Sequence, residues 1–360
     1  MPKKILELCL SPDLGGLELC VVDYFNSFSS KGETYICVTP GSKLDKYCDN
    51  KDKIQIKRNK FFPFIPALAL AKFIDAKGID TIHFHWTRDI TTVVLAKIFS
   101  RKKPKIMQSR HMTMTRYKDD FYHNLLYKNI DTIHAVTHQV QEQLIKYIPK
   151  KVLPKIEMLY LGVSENLVAE KIVKQLSLEY TLADSFVVGI IGRIEEAKGQ
   201  FLVIDAISML KDLDIKLLIV GDSMDKEYLA SLESKIKKLG IEDKVIFTGF
   251  TKEVQAHIKL CDVTVLATPK ETFGLVVIES MVNSVPVIAT AKGGPLEIIE
   301  DKVDGLYFDR SAKMLEEKIK LLYEDKEYKN RLSTNAYKKV KNSFDKEKQM
   351  NKMYEVIDES

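Results

Sequence analysis

Arg193 and Lys198 stand five residues apart in Gly-Arg-Ile-Glu-Glu-Ala-Lys-Gly, after a β-branched run and before a helical stretch starting near Gly199. A guanidinium fork, an ammonium point charge and the positive end of a helix together suit a pyrophosphate. The plainer account is two solvated surface charges. Glu271 and Glu279 are eight residues apart in Lys-Glu-Thr-Phe-Gly-Leu-Val-Val-Ile-Glu-Ser-Met. That is about 2.2 helical turns. With a helix opening near Thr272 and Glu271 bending in from the loop, both carboxylates can face one crevice, where they suit sugar and ribose hydroxyls. The competing accounts are a helix N-terminal charge for Glu271 and a surface position for Glu279. Against the latter, Val276, Val277 and Ile278 make the surroundings apolar.

The first half offers weaker signals. Gly15 and Gly16 follow the first apolar run and let a backbone approach a ligand, and a structural turn accounts for them equally well. The loop lacks the GxGxxG spacing of a dinucleotide site, which counts against a dehydrogenase. Two further loops carry His85-Trp-Thr-Arg-Asp and Arg110-His111-Met-Thr. His111 is the best functional candidate of the seven histidines, and His85 and Arg110 are candidates for the acceptor side. His83 is expected to point away from His85. His123, His134, His138 and His257 are expected to be structural, without convergent partners.

These residues need elements to hold them at one edge. Short β-branched runs alternate with amphipathic stretches twice along the chain, which predicts two parallel sheets. Strands are expected at 4–10, 34–38, 81–85, 105–109, 132–136 and 155–159, then at 187–191, 216–220, 245–248, 263–267, 285–289 and 305–308. The predicted fold is α/β, two Rossmann-like doubly wound domains. Ligands bind such sheets at the carboxyl ends of the strands. There the second half places Arg193 and Lys198, then Gly221-Asp222, Thr248-Gly249-Phe250 and Gly293-Gly294. The expected division is 1–165, a linker at 166–184, and 185–344. A final helix at 345–360 has Met350, Met353, Tyr354 and Ile357 on one face.

The 360 residues are 45% hydrophobic and 29% charged, enough for two cores and ordinary for a globular enzyme. The net charge of +5 is small for a dedicated nucleic-acid binder. It hides 26 basic against 16 acidic side chains in residues 1–160, so the front half is expected to meet something anionic, such as a phosphate ester or a membrane surface. Five scattered cysteines without a CxxC pair argue against a disulfide framework or a zinc site. Without a leader-like N-terminus or a spanning segment, a cytoplasmic location is expected. Lys51, Lys53, Lys57, Arg58 and Lys60 run into Phe61-Phe62-Pro-Phe64-Ile65, and Arg101-Lys-Lys-Pro-Lys105 is a second basic cluster. A peripheral contact with the cytoplasmic face of an anionic membrane suits them, as does a solvated face over a core helix.

The E-x7-E element from Glu271 to Glu279, followed by PVIATAKGGPLEII and DGLYF, resembles family 4 retaining glycosyltransferases of the GT-B fold. GRIEEAKG, GDSMDKEYL and KVIFTGF are similar too, and in the front half so are GGLE, TIHFHW and SRHMT. The resemblance covers nearly the whole chain. It implies two domains facing a central cleft, with the last helix crossing back to the first. It further implies transfer of a sugar from a nucleotide diphosphate sugar, UDP-linked, to a glycan or lipid-linked saccharide in surface polysaccharide or lipopolysaccharide synthesis. No metal and no cofactor beyond that co-substrate are implied. Arg193, Lys198, Gly15 and Gly16 would hold the donor diphosphate. Glu271, Phe273, Gly274, Leu275 and Glu279 would hold sugar and ribose. Thr248, Gly249 and Phe250 would border the base, and His111 with Glu271 would act on the reacting sugar. The alternatives are a nucleotide-sugar epimerase of similar fold or a nucleotide-sugar binding protein without turnover.

Overall fold

The computed structural model describes residues 2–48, 52–59, 62–165, 168–182 and 184–359. The chain divides into two compact units, Met1–Leu161 with Glu347–Ser360, and Gly162–Lys346.

The first unit is built on seven strands, β1 (Ile5–Cys9), β2 (Thr34–Val38), β3 (Lys53–Gln55), β4 (Thr81–Phe84), β5 (Lys105–Arg110), β6 (Thr132–Ala135) and β7 (Lys155–Met158). They pair in parallel in the order β3-β2-β1-β4-β5-β6-β7. The second unit holds six, β8 (Phe186–Ile191), β9 (Ile215–Val220), β10 (Val245–Gly249), β11 (Val263–Leu266), β12 (Val287–Thr290) and β13 (Leu306–Phe308). Their order is β10-β9-β8-β11-β12-β13, again parallel throughout. Both are doubly wound sheets, and in each the strand order reverses beside its first strand, between β1 and β4 and between β8 and β11. A crevice forms at such a reversal, where the two following loops diverge to opposite faces.

Helices cover both faces, so the strands are apolar without alternation. Phe186–Val-Val-Gly-Ile–Ile191 and Ile215–Lys-Leu-Leu-Ile–Val220 are almost wholly buried. In the first sheet Glu7, His83, Gln108, Ser109 and His134 are buried in the same strands. Burial of such groups calls for hydrogen bonds, which Glu7, His83, Ser109 and His134 make and the Gln108 side-chain amide does not.

Differences from the sequence expectations are local. β3 has no counterpart among the expected strands, because it is three residues long, at the sheet edge, in a charged run. β12 starts at Val287 rather than 285, because Pro286 has no N–H for the ladder. Residues 168–182, expected to link the domains, carry the helix Glu170–Glu179, and Leu182 is buried with Val187, Leu218 and Ile258, so this stretch is a layer of the second unit. The last helix, Lys346–Glu359, buries Met350, Met353 and Ile357 in the first unit, and Tyr354 packs against Phe28 with ring centroids 5.6 Å apart. All five cysteines are buried, and none forms a disulfide. No helix among the described residues is long and apolar enough to cross a membrane.

Candidate functional site

In the second unit the informative residues gather where the strand order reverses. β8 ends at Ile191, and Gly192 and Arg193 turn into a single 3-10 turn, Glu196–Lys198, before the helix Gln200–Ser208. Gly199 is left-handed, and a Cβ there would lie 2.9 Å from Ala267 O at the end of β11. This close approach explains the glycine and brings the helix N-terminus to the neighbouring strand. The Gln200 side-chain amide donates to Arg193 O at 2.9 Å, which ties the loop to that helix.

From the β11 side, the loop after Leu266 delivers Glu271. Its carboxylate accepts from Lys198 Nζ at 3.3 Å, with both side chains mostly shielded. Arg193 is more exposed and reaches Glu195 at 3.4 Å. The Glu271 loop is clamped from behind, where Gly294 N donates to Glu271 O at 2.9 Å and the Thr290 hydroxyl donates to Thr268 O at 2.7 Å. A Cβ on Gly293 would lie 2.0 Å from Glu271 O, and one on Gly294 2.2 Å from Phe273 O. Phe273 is buried, Gly274 is left-handed, and the helix runs Leu275–Val282. It starts three residues later than expected, which leaves Thr272 in the loop. Glu279 is partly buried on this helix. Helix starts present unbonded N–H groups, so Gln200 and Leu275 supply donors beside the Lys198 and Arg193 cations. Thr248 and Gly249 end β10, and Phe250 beyond them is exposed.

The first unit holds the other cluster. Gly15 caps the helix Gly16–Ser29 with extended backbone. Neither Gly15 nor Gly16 has positive φ, so conformation alone does not demand glycine. His83 and His85 do not point apart. Two residues apart on one strand they share a face, and both bond Glu7, His83 Nδ1 to Oε1 at 2.9 Å and His85 Nε2 to Oε2 at 2.8 Å. His134, expected to lack partners, joins the same chain. Ser109 Oγ bridges His83 Nε2 and His134 Nδ1 at 2.7 Å each, and His134 Nε2 donates to Leu159 O at 2.7 Å. His85 is buried with both ring nitrogens engaged, the second on His111 Nε2 at 3.2 Å. It therefore has no ring nitrogen left for the acceptor contact that the sequence suggested, and touches His111 instead.

Glu7, His83 and His85 converge closely enough to ligate an ion. Hydrogen bonds already engage both carboxylate oxygens and all four ring nitrogens of the three.

The anchored end sets the proton positions. Leu159 O can only accept, so His134 carries its hydrogen on Nε2. Burial pushes the His134 pKa down to about 3, so the ring is neutral and Nδ1 accepts from the Ser109 hydroxyl. Ser109 must then accept from His83 Nε2–H, and one further hydrogen lies between His83 Nδ1 and Glu7 Oε1. Oε2 is left to accept from His85 Nε2–H, and His85 Nδ1 accepts from His111 Nε2–H. Burial, then the neighbouring His134, His83 and Arg110, push His111 down to about 3. His111 is thus a neutral imidazole whose Nδ1 is the proton-accepting atom. This chain could not be found from spacing, because its members come from four strands and from the segments that follow β4, β5 and β7.

The basic run of the sequence disperses. Lys53, Lys102 and Lys105 pair with Asp45, Asp80 and Asp131. Arg58 lies over the Trp86 ring, 5.1 Å from its centroid. Lys51, Lys60 and Phe61 lie outside the described residues. Phe62, Phe64, Ile65 and Leu68 are exposed, as are Ile98 and Phe99.

Comparison with known proteins assigns this architecture. Residues 14–167 match the model described as Glycosyltransferase Family 4, and residues 174–339 match that described as Glycosyl transferases group 1. The chain is 27% identical to the N-acetyl-alpha-D-glucosaminyl L-malate synthase of Bacillus anthracis, over 96% of this chain and 94% of that one. It is 28% identical to the N-acetylgalactosamine-N,N'-diacetylbacillosaminyl-diphospho-undecaprenol 4-alpha-N-acetylgalactosaminyltransferase of Campylobacter jejuni, over 84% and 82%. The Anabaena protein Alr3699/HepE, crystallised with UDP and glucose, superposes with a TM-score of 0.87 at 20% identity, over 99% of this chain and 100% of that one. It is a likeness of fold. The family models, which describe glycosyl transfer rather than epimerisation, divide between the two sheets and take in the Lys198–Glu271 pair, the Glu271–Glu279 helix start and His111, so the protein belongs to the group 1, family 4 glycosyltransferases.

Proposed function

We propose that the protein moves a sugar from a UDP-linked donor to a saccharide or lipid-linked saccharide, with retention at the anomeric carbon and without a metal ion. The observation that carries this is the Lys198–Glu271 contact beside Arg193 and two helix starts. Arg193, Lys198 and the N–H groups near Gln200 and Leu275 stabilise negative charge on a departing diphosphate by electrostatics alone. Glu271 and Glu279 accept from sugar and ribose hydroxyls, with Lys198 holding the Glu271 carboxylate in place. Phe273, Gly274 and Leu275 supply backbone to sugar and phosphate. Thr248, Gly249 and Phe250 border the base, and Gly15 and Gly16 approach the diphosphate.

In the transfer, the bond from the anomeric carbon to the diphosphate oxygen breaks with its electron pair going to the diphosphate. The acceptor hydroxyl oxygen bonds the same face, and its proton passes to the released phosphate oxygen. His111, neutral and with Nδ1 as acceptor, orients a hydroxyl of the reacting sugar. The Bacillus relative is named for malate, which is not a saccharide, and the Campylobacter relative for a diphospho-undecaprenol-linked saccharide, which supports a lipid-linked acceptor here. A cytoplasmic site of action on an anionic membrane face suits the second of these.

A panel of UDP-sugars, assayed for hydrolysis with and without EDTA and for the anomer released, tests this. Donor cleavage that survives EDTA and yields the donor's own anomer is expected. Activity abolished by EDTA and restored by Mn²⁺ overturns the metal-free proposal, and the inverted anomer overturns retention.

A further inference from the structure

The first unit contains a cavity of about 300 Å³ at the carboxyl ends of β4 and β5, walled by Arg58, Arg88, Arg110, Lys118, Thr87 and Tyr127 among others, with no Asp or Glu in its lining. Its volume is at the small end of ligand sites, large enough for a substituted phosphate. Arg110 is buried, yet its guanidinium is held only by neutral acceptors. Nε donates to Met112 O at 2.8 Å, and the two terminal nitrogens donate to Thr87 Oγ1 at 3.0 Å and Thr113 O at 3.2 Å. A buried cation without a carboxylate is rare, because desolvation goes uncompensated.

The neighbouring charges repeat the pattern. Among the described residues, the one carboxylate in ion-pair contact with any of the four cations is Asp89, 3.8 Å from Arg58 Nε. Burial raises the Asp89 pKa to about 7, which makes it an incomplete counter-charge. Burial, followed by Arg116 and Arg110, lowers the Lys118 pKa against a smaller opposing pull from Asp120, and burial lowers that of Arg110. Four cations thus face one small space that lacks an anion.

We infer that this cavity binds the phosphoryl group of a phosphorylated acceptor, through Arg58, Arg88, Arg110 and Lys118. Four cations with Thr and Tyr hydroxyls suit a tetrahedral dianion better than a single carboxylate, and the guanidinium forks match its oxygens two at a time. The phosphoryl group can come from a soluble sugar phosphate or from a lipid-linked diphosphate. That the ligand is an acceptor rests on the proposed transfer, whereas binding of the anion rests on the first unit alone.

The test is calorimetric titration of the full chain, pre-saturated with UDP so that Arg193 and Lys198 are occupied, with inorganic phosphate, pyrophosphate, succinate and a detergent-solubilised polyprenyl phosphate at constant ionic strength. Phosphate and pyrophosphate are expected to bind, and Arg88→Gln with Lys118→Gln to weaken them at least about tenfold. Arg110→Met, which tests the buried cation, is compared only where circular dichroism shows it folded. Polyprenyl phosphate binding much tighter than phosphate supports the lipid source, and equal binding supports the soluble one. Succinate bound as tightly as phosphate, or phosphate affinity unchanged in the double variant, overturns the inference. Failure of UDP to bind overturns the donor assignment instead, and the comparison between wild type and double variant stands without it.

Discussion

Glu7 and His83 share one hydrogen more than a carboxylate and a neutral imidazole hold between them. The 2.9 Å contact from His83 Nδ1 to Glu7 Oε1 is the adjustable link in a chain whose far end is pinned by Leu159 O. Burial raises the Glu7 pKa, and the charge on His83 opposes that rise. Whichever atom carries the hydrogen, Oε2 faces His85 as an acceptor, and the tautomers of His85 and His111 follow.

Glu7→Gln is therefore the conservative change. Its amide N–H₂ can donate to His83 Nδ1 while its oxygen accepts from His85, which reproduces the protonated carboxyl without the ionisable group. It is expected to unfold within about 1 kcal/mol of wild type, whereas Glu7→Leu, which strands two buried rings, should lose about 3–5 kcal/mol. Urea unfolding measures both. Nitrogen-15 shifts of the imidazoles should show His111 protonated at Nε2 in wild type and in Glu7→Gln, and an Nδ1–H form in wild type defeats the assignment.

Asp89 gives a pH signature of known sign. Its folded pKa of about 7 lies above the reference value of 3.8. Between those values the native state binds the proton and the unfolded state does not, so its contribution to stability declines as pH rises from about 4 to about 7. The histidines whose pKa values are lowered act oppositely, losing stability as pH falls below 6.5. The difference between Asp89→Asn and wild type isolates the aspartate. The variant should gain relative stability across pH 4 to 7 and level off above, and a difference that is flat with pH counts against it.

Lys198→Ala removes one diphosphate cation and the partner of Glu271. Loss of a group that stabilises developing charge typically costs about 10²–10³ in rate. kcat/KM for the UDP-sugar should fall by that order, and Arg193→Ala, whose side chain is half exposed, by less. Unchanged steady-state kinetics in Lys198→Ala would refute the clamp.

Gly293 is where backbone conformation and space coincide. Its φ is +70, and a Cβ would lie 2.0 Å from Glu271 O. Gly293→Ala must push the Glu271 loop away from the Gly294 N–H, so it should both destabilise the second unit, by about 1–3 kcal/mol for the strain, and weaken donor binding. Calorimetric titration with UDP and thermal unfolding read the two effects. UDP affinity equal to wild type would mean that the loop does not touch the donor.

The second half was more legible than the first for a physical reason. Arg193, Lys198 and Glu271 sit on two loops that flank one strand-order reversal, and each loop carries its own signal in glycines and charges close in sequence. Parallel strands at a steady βα rhythm gave both sheets to within a residue or two, except for three-residue β3. The Glu7 chain has no local signal. Sheet register sets Glu7 opposite His83 and Ser109 opposite His134, residues 76 and 25 apart along the chain. A lone histidine in a strand is an ordinary core residue until that register is known. The two-residue period of an extended chain puts His83 and His85 on one face.

The exposed apolar row of Phe62, Phe64, Ile65 and Leu68 tests the membrane proposal separately from the charge. Phe64 packs on Phe99 with ring centroids 6.4 Å apart, so the helices that carry them, Phe64–Lys77 and Ile90–Phe99, present one apolar surface. Lys53, Lys102 and Lys105 are already paired with carboxylates, which lowers the charge the two basic clusters can offer to anionic lipid. Insertion of aromatic side chains should then dominate, with each buried CH₂ worth about 0.8 kcal/mol. Flotation with liposomes should show binding that Phe64→Ser with Ile65→Ser abolishes and that moderate salt only weakens. Complete release by salt in wild type would instead assign the contact to charge, and absence of flotation on both neutral and anionic liposomes would end the membrane proposal.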